Sequence, residues 1–255
     1  MRWWVGVLMI GVLMVSVGAM RAVTGSEQPV RAEQSASAAP PTPSADPASP
    51  APVLQLPGDI PTNGPGTFVV GTELGPVLGT AGRLRRFHVA VESNVVGELA
   101  EFAGMVEQTL GDPRSWIAGK QHRFQRVPQG QAADFTVYLV TRQTAYQMCR
   151  VNGVDIRENG VPYTSCRQVR KVIINLDRWR LSVPDYVNGG LPLRLYREYV
   201  INHEVGHELG RGHEACPGAG KPAPTMQTQT LGLKVCTANP WPYLDGKRYV
   251  GPPAP

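Results

Sequence analysis

His203-Glu204-Val205-Gly206-His207-Glu208-Leu209-Gly210-Arg211-Gly212-His213 is the stretch on which the reading of this chain turns. It fits the pattern H-E-x-x-H-x-x-G-x-x-H. At about 100° per residue, His203 and His207 lie one turn apart on one helix face, so both imidazoles reach the same point. Glu204 sits about 100° round, outside the direct ligand set but close enough to take a proton from water held there. Ile201, Val205 and Leu209 recur at i, i+4 and i+8 on the opposite face, a stripe suited to packing on a sheet. Gly210 can adopt the left-handed backbone that ends a helix, and Gly212 adds freedom before His213 returns. Three neutral nitrogens leave a fourth position open, the arrangement of a catalytic rather than a structural zinc. By composition, the full pattern arises by chance roughly once in a hundred thousand such chains, whereas a bare H-E-x-x-H is far commoner.

Outward from this motif, residues 193–209 are expected to form the longest helix. Upstream, residues 86–92 alternate, with Phe87, Val89 and Val91 on one side, which predicts a strand. Residues 97–110 carry Leu99, Phe102, Val106 and Leu110 at helical spacing, and Asp112-Pro113 ends that run. Residues 122–127, 135–140 and 171–175 read as further strands, and 163–166 as an edge segment. After Gly210 the chain is irregular and rich in Pro, Gly and Thr. The order predicts an α+β fold (α/β-like), with a twisted mixed sheet over the motif helix and a small irregular C-terminal subdomain.

The N-terminal part has a different character. Arg2 precedes an apolar run from Trp3 to Met20, so residues 1–23 read as a signal peptide or a signal anchor. The reading favours a retained single-pass anchor with its N-terminus inside, and secretion after cleavage is the other outcome. Either places the body outside the cytoplasm. Residues 24–66 are rich in Pro, Ala and Ser, with too few large apolar side chains for a core, and are expected to be a disordered linker. Residues 67–255 are left as the folded domain, its packed part starting near Ala81. The chain of 255 residues carries a formal charge of +5, a modest excess unlike the basic stripe of a nucleic-acid binder. There is no P-loop, G-x-S-x-G elbow or G-x-G-x-x-G fingerprint, so nucleotide and serine-hydrolase chemistries lack support.

Export makes disulfides the expected state of Cys149, Cys166, Cys216 and Cys236. Three pairings are possible. Cys149–Cys166 with Cys216–Cys236 is favoured, each closing a loop worth roughly 3 kcal/mol by loop entropy. The second would encircle Met226.

The histidine motif resembles the zinc-binding consensus of the metzincin clan of metalloproteases. Metzincins carry a methionine in a turn beneath the metal, and Pro224-Thr225-Met226 is the matching segment here. A closer resemblance, carried by residues 202–241 with His213-Glu214-Ala215-Cys216-Pro217 and Asn239-Pro240-Trp241, is to a family of uncharacterised exported actinobacterial proteins with a metzincin-like domain. The resemblance implies a metzincin-like zincin fold and one Zn2+ per chain held by His203, His207 and His213. It also implies Glu204 as general base toward a zinc-activated water, and Met226 as the Met-turn residue. The implied activity is an exported endopeptidase acting on a peptide or protein substrate, aligned along an edge strand for which residues 161–165 are the candidate. Two features depart from familiar subgroups. Thr228 stands where some metzincins place a switchable tyrosine, and Glu214 matches the astacin choice without other astacin features.

Two alternatives use the same residues: a zinc hydrolase of cell-wall peptide or amide bonds, and a non-catalytic binding domain stabilised by zinc. Glu204 argues against the last, because a structural site has no use for a water-activating carboxylate. His88 and His122 are expected at the surface. Glu208 reads as a helix-face charge, and Arg211 as solvated or as a binder of a substrate carboxylate.

Overall fold

In the computed structural model the described residues are 51–56 and 58–254. The expected leader or anchor, and most of the expected linker, lie outside them. Among the described residues no helix is long and apolar enough to cross a membrane.

The alternating apolar runs build one seven-stranded mixed sheet. Its members are β1 (Phe68–Val70), β2 (Val77–Leu78), β3 (Arg83–Glu92), β4 (His122–Arg126), β5 (Phe135–Val140), β8 (Cys166–Gln168) and β9 (Lys171–Asn175). The spatial order is β2-β4-β3-β5-β9-β8, and β1 pairs the far end of β3. The centre is parallel, with Val89 opposite Val137 and Val137 opposite Val172. The outer strands β1, β2 and β8 run antiparallel to their neighbours.

Strand alternation places Phe87, Val89, Val91, Phe135, Val137, Leu139, Val172 and Ile174 on one face. That face is covered by α1 (Leu99–Gly111) and α5 (Leu193–Glu208), which contribute Phe102, Val106, Leu110, Val200, Ile201 and Val205. The stripe expected on α5 therefore packs as predicted. The opposite face is covered at one side by α2 (Arg142–Cys149), where Ala145 and Cys149 meet Ile173. Both faces of β9 are thus buried, which explains its unbroken Val-Ile-Ile run. α3 (Leu176–Leu181) and α4 (Pro184–Asn188) lead into α5. A hairpin of β6 (Arg157–Glu158) and β7 (Val161–Pro162) precedes β8, and a second of β10 (Tyr243–Leu244) and β11 (Lys247–Arg248) lies near the C-terminus.

Residues 53–56 and 58–66, expected as the end of the linker, lie along the body. Val53 O accepts from Leu193 N at 2.8 Å, and Leu56 N donates to Arg180 O at 2.8 Å. Ile60 packs on the core, and Thr62 O accepts from Gln143 N at 3.1 Å. The segment closes on the buried Glu92 carboxylate, which accepts from Gly66 N, Thr141 N and the hydroxyls of Thr141 and Thr144 at 2.7–2.9 Å. Each hydrogen bond to a charged group contributes about 1.5–3 kcal/mol. The strap is therefore held against the body.

Both favoured disulfides are present, Cys149–Cys166 and Cys216–Cys236. The first ties α2 to β8. The second closes the loop that contains Met226.

Candidate metal centre

α5 carries His203, Glu204 and His207 and ends where Gly210 takes φ +82°, so the chain turns back and brings His213 to the other two. His207 Nε2 lies 3.2 Å from His203 Nε2 and 3.1 Å from His213 Nε2. The outer nitrogens explain why. His203 Nδ1 lies 2.8 Å from Thr225 O and His207 Nδ1 2.8 Å from Arg211 O. A carbonyl only accepts, so each Nδ1 carries the proton, and in a neutral ring Nε2 then presents a lone pair. The close approach of His203 Nε2 and His207 Nε2 is therefore not a hydrogen bond. Lone pairs at this separation repel unless a cation lies between them.

Tetrahedral zinc with Zn–N distances of about 2.0–2.1 Å places its nitrogens about 3.3 Å apart. The observed separations and the imidazole donor set fit such an ion. His203, His207 and His213 are the group among the described residues able to hold a metal. Burial pushes all three imidazoles below their ordinary value, toward the neutral form that binds metal.

Glu204 is buried beside the triad, and its Oε2 has no hydrogen-bond partner. Desolvation, with no cation beside it, pushes its carboxyl up to about 8. An unpartnered buried carboxylate oxygen is costly and is retained where chemistry uses it.

The support beneath the triad is polar and closely packed. Met226 is fully buried, and a Cβ on Gly206 would sit 2.4 Å from its sulfur and 2.7 Å from Trp116 Cζ2. The glycine between the two helix histidines therefore allows Met226 and the Trp116 ring to seat against α5. Asn202 accepts from Ser115 Oγ at 2.7 Å through Oδ1 and donates to Pro240 O at 3.1 Å. Gln229 donates to Pro224 O at 3.2 Å and Asn239 O at 2.8 Å, while Asn239 donates to Ala223 O at 2.9 Å. These buried amides fix the turn that offers Thr225 O to His203. Side chains thus satisfy backbone groups that a loop-rich subdomain leaves without ladder partners.

A cleft of ≈ 610 Å³ opens onto the three histidines and Glu204. Its lining includes Tyr199, Thr228 and residues 164–167. The sheet edge facing it is β8, so the edge segment begins at Cys166, displaced from the expected 161–165, where Val161 and Pro162 instead pair with β6. Tyr199 donates to Gln227 O at 3.0 Å and accepts from Gln229 N at 2.8 Å, which ties the cleft wall to the lower loop.

The remaining candidates fall away from the triad chemistry. Glu208 accepts from Arg167 Nε at 2.7 Å. Glu214 is bonded to Arg248 Nη2 at 2.9 Å and serves to pin the C-terminal segment. The exposed Arg211 contributes its carbonyl to His207, while its guanidinium reaches Gln121 Oε1 at 3.5 Å, outside the cleft lining. His88 bonds Gln131 O at 2.9 Å. His122 is half-buried, held below its ordinary value by burial and then by the nearby Arg85, Arg211 and Arg83. The carbonyls of Thr225 and Arg211 had no signal in the sequence, because backbone atoms are common to every residue.

A family model described as "Protein of unknown function (DUF3152)" matches residues 55–244. The chain belongs to that family. No curated protein and no solved structure is similar enough to the chain to be matched. In this DUF3152 member the family span begins at Gln55, inside the docked strap, and ends with β10. It contains the triad, Glu204, Met226 and all four cysteines. The strap therefore belongs to the DUF3152 domain.

Proposed function

We propose that the chain is an exported, zinc-dependent peptidase of metzincin-like type. The observation that carries the reading is the trio of imidazole Nε2 atoms brought together, with His207 Nε2 at zinc-like separations from the other two and the unpartnered Glu204 Oε2 beside them. His203, His207 and His213 would hold the ion. When bound, zinc supplies Lewis acidity, which makes water nucleophilic near neutral pH and polarises a carbonyl oxygen.

The chain's residues divide the rest of the work. Residues 166–168 offer a sheet edge along which an extended peptide can lie as an added strand. Tyr199 and Thr228 also line the cleft. Glu204 Oε2 takes a proton from the attacking water as the carbon–oxygen bond forms. It then passes that proton to the amine nitrogen as the carbon–nitrogen bond breaks. Thr225 O and Arg211 O hold the imidazoles in the ligating tautomer throughout. Met226 and Trp116 keep the helix from shifting beneath them. The two disulfides suit a protein that works outside the cytoplasm.

The test is incubation of the zinc-loaded protein with a random peptide library and, separately, a cell-wall peptide digest. Cleavage lost on chelation and restored by zinc is expected with the peptides. Cleavage confined to the wall digest would move the substrate to cell-wall amides. No cleavage of either, with zinc bound, would leave a binding domain.

A further inference from the structure

The cleft over the triad is continuous in lining with a second cavity of ≈ 400 Å³, because Glu158, Thr230 and Leu231 border both. We infer that this junction is a subsite for a cationic peptide side chain, an ammonium or guanidinium, and that Glu158 selects it. The subsite rests on the peptidase reading above, since it lies on the path a peptide would follow away from the triad.

Charge pairing singles out Glu158 among the exposed carboxylates of the two cavities. Among the other charged side chains lining the first cavity, Arg157 is engaged with Asp155 through Nε at 2.9 Å and Nη2 at 2.7 Å. Its guanidinium also lies over the Tyr146 ring. Arg167 is engaged with Glu208. The Glu158 side chain is exposed and has no ion pair or hydrogen bond among the described residues. In the second cavity the other charges are Asp185 and Lys234. Asp185 Oδ2 accepts from Leu233 N at 2.7 Å, and Asp185 Oδ2 and Lys234 Nζ lie 3.5 Å and 4.0 Å from the place a Cβ on Gly232 would take. Two carboxylates against one ammonium leave this cavity net negative, in a chain whose formal charge is +5.

Shape and placement agree. Tyr163, Val183, Pro184 and Leu231 give the cavity apolar walls along which the methylene stem of a lysine or arginine can lie, with its charged end at the rim. Glu158 is held there by a tight hairpin. Arg157 and Glu158 pair with Pro162 and Val161 across the two-residue turn Asn159-Gly160. The hairpin base is fixed by Ile156 O, which accepts from both Tyr163 N and Thr164 N.

Binding and cleavage are measured separately. Fluorescein-labelled peptides on one scaffold, carrying Lys, Gln or Glu at successive positions, are titrated onto zinc-loaded full-length Glu204→Gln. Lysine peptides are expected to bind roughly fivefold tighter than glutamine ones, the scale of a partly exposed ion pair, and less so in high salt. Adding Glu158→Gln should remove the difference, and Glu158→Lys should make the glutamate peptides the tighter set. Glu73→Gln neutralises an exposed carboxylate outside both cavities and should leave the selectivity intact. Equal binding of lysine and glutamine peptides, selectivity that survives Glu158→Gln, or no peptide binding at all would overturn the subsite. Charge-selective binding by a wild type that cuts nothing would refute the peptidase reading and keep the subsite. Cleavage without charge selectivity would do the reverse.

Discussion

Glu204→Ala is expected to keep zinc and to lower peptide hydrolysis by about a thousandfold, within the range that a positioned general base contributes. The carboxylate is buried against the triad and leaves Oε2 without a partner, so its removal breaks no hydrogen bond made by that atom. It relieves the desolvation of a carboxyl that burial pushes up to about 8. Thermal stability of the metal-free protein should therefore be unchanged or raised. A fall in rate with zinc content and melting temperature preserved would separate a chemical role from a structural one. Steady-state hydrolysis by the alanine variant at the wild-type rate would remove Glu204 from the mechanism.

His207→Ala is expected to abolish stoichiometric zinc binding. Its Nε2 is the nitrogen within 3.2 Å of both other ligand atoms, so its loss leaves two imidazoles without their central neighbour. Loss of a residue that merely supports a ligand costs roughly 10–100-fold in affinity, so loss of the ligand itself should exceed that. The loss should also register in stability. An ion at a thousand times its dissociation constant adds about 4 kcal/mol to the folded state. In a domain of this size that raises the melting temperature by roughly 10 °C. Wild type should show the zinc-dependent rise and His207→Ala should not. His88→Ala, which loses only a contact to Gln131 O, should retain it. Calorimetry with and without zinc reads all three proteins. An equal rise in His207→Ala would place the ion elsewhere.

The elements legible in the sequence were those with a strong period. The 3.6-residue repeats of α1 and α5 and the alternation in β3 and β5 placed those elements within a few residues. β9 was legible from its β-branched run. α2 was not, since Arg-Gln-Thr-Ala-Tyr-Gln-Met-Cys buries only Thr144, Ala145 and Cys149, too small a stripe to register. The strap carries no such period. Its attachment uses backbone atoms, the Gln55 and Asn94 amides and the Glu92 carboxylate, and Ile60 packs on the core. Cysteine spacing was enough for the disulfides, and histidine spacing for the triad. What the sequence could not carry was the second layer, in which the Thr225 and Arg211 carbonyls set the imidazole tautomers and buried Asn202, Gln229 and Asn239 fix the loops. Those roles depend on long-range contacts between residues that elsewhere in a chain are ordinary polar side chains. The approach of Met226 and Trp116 to Gly206 belongs to the same class.

The central claim is that one ion sits among His203, His207 and His213 with room for a further oxygen ligand. X-ray absorption at the zinc edge, on protein purified with its metal content counted, tests it directly. The account predicts about one zinc per chain, with three imidazole nitrogens near 2.0–2.1 Å and an oxygen completing the shell. Metal-free protein that takes up no zinc, or a shell containing sulfur or a fourth imidazole, would contradict it.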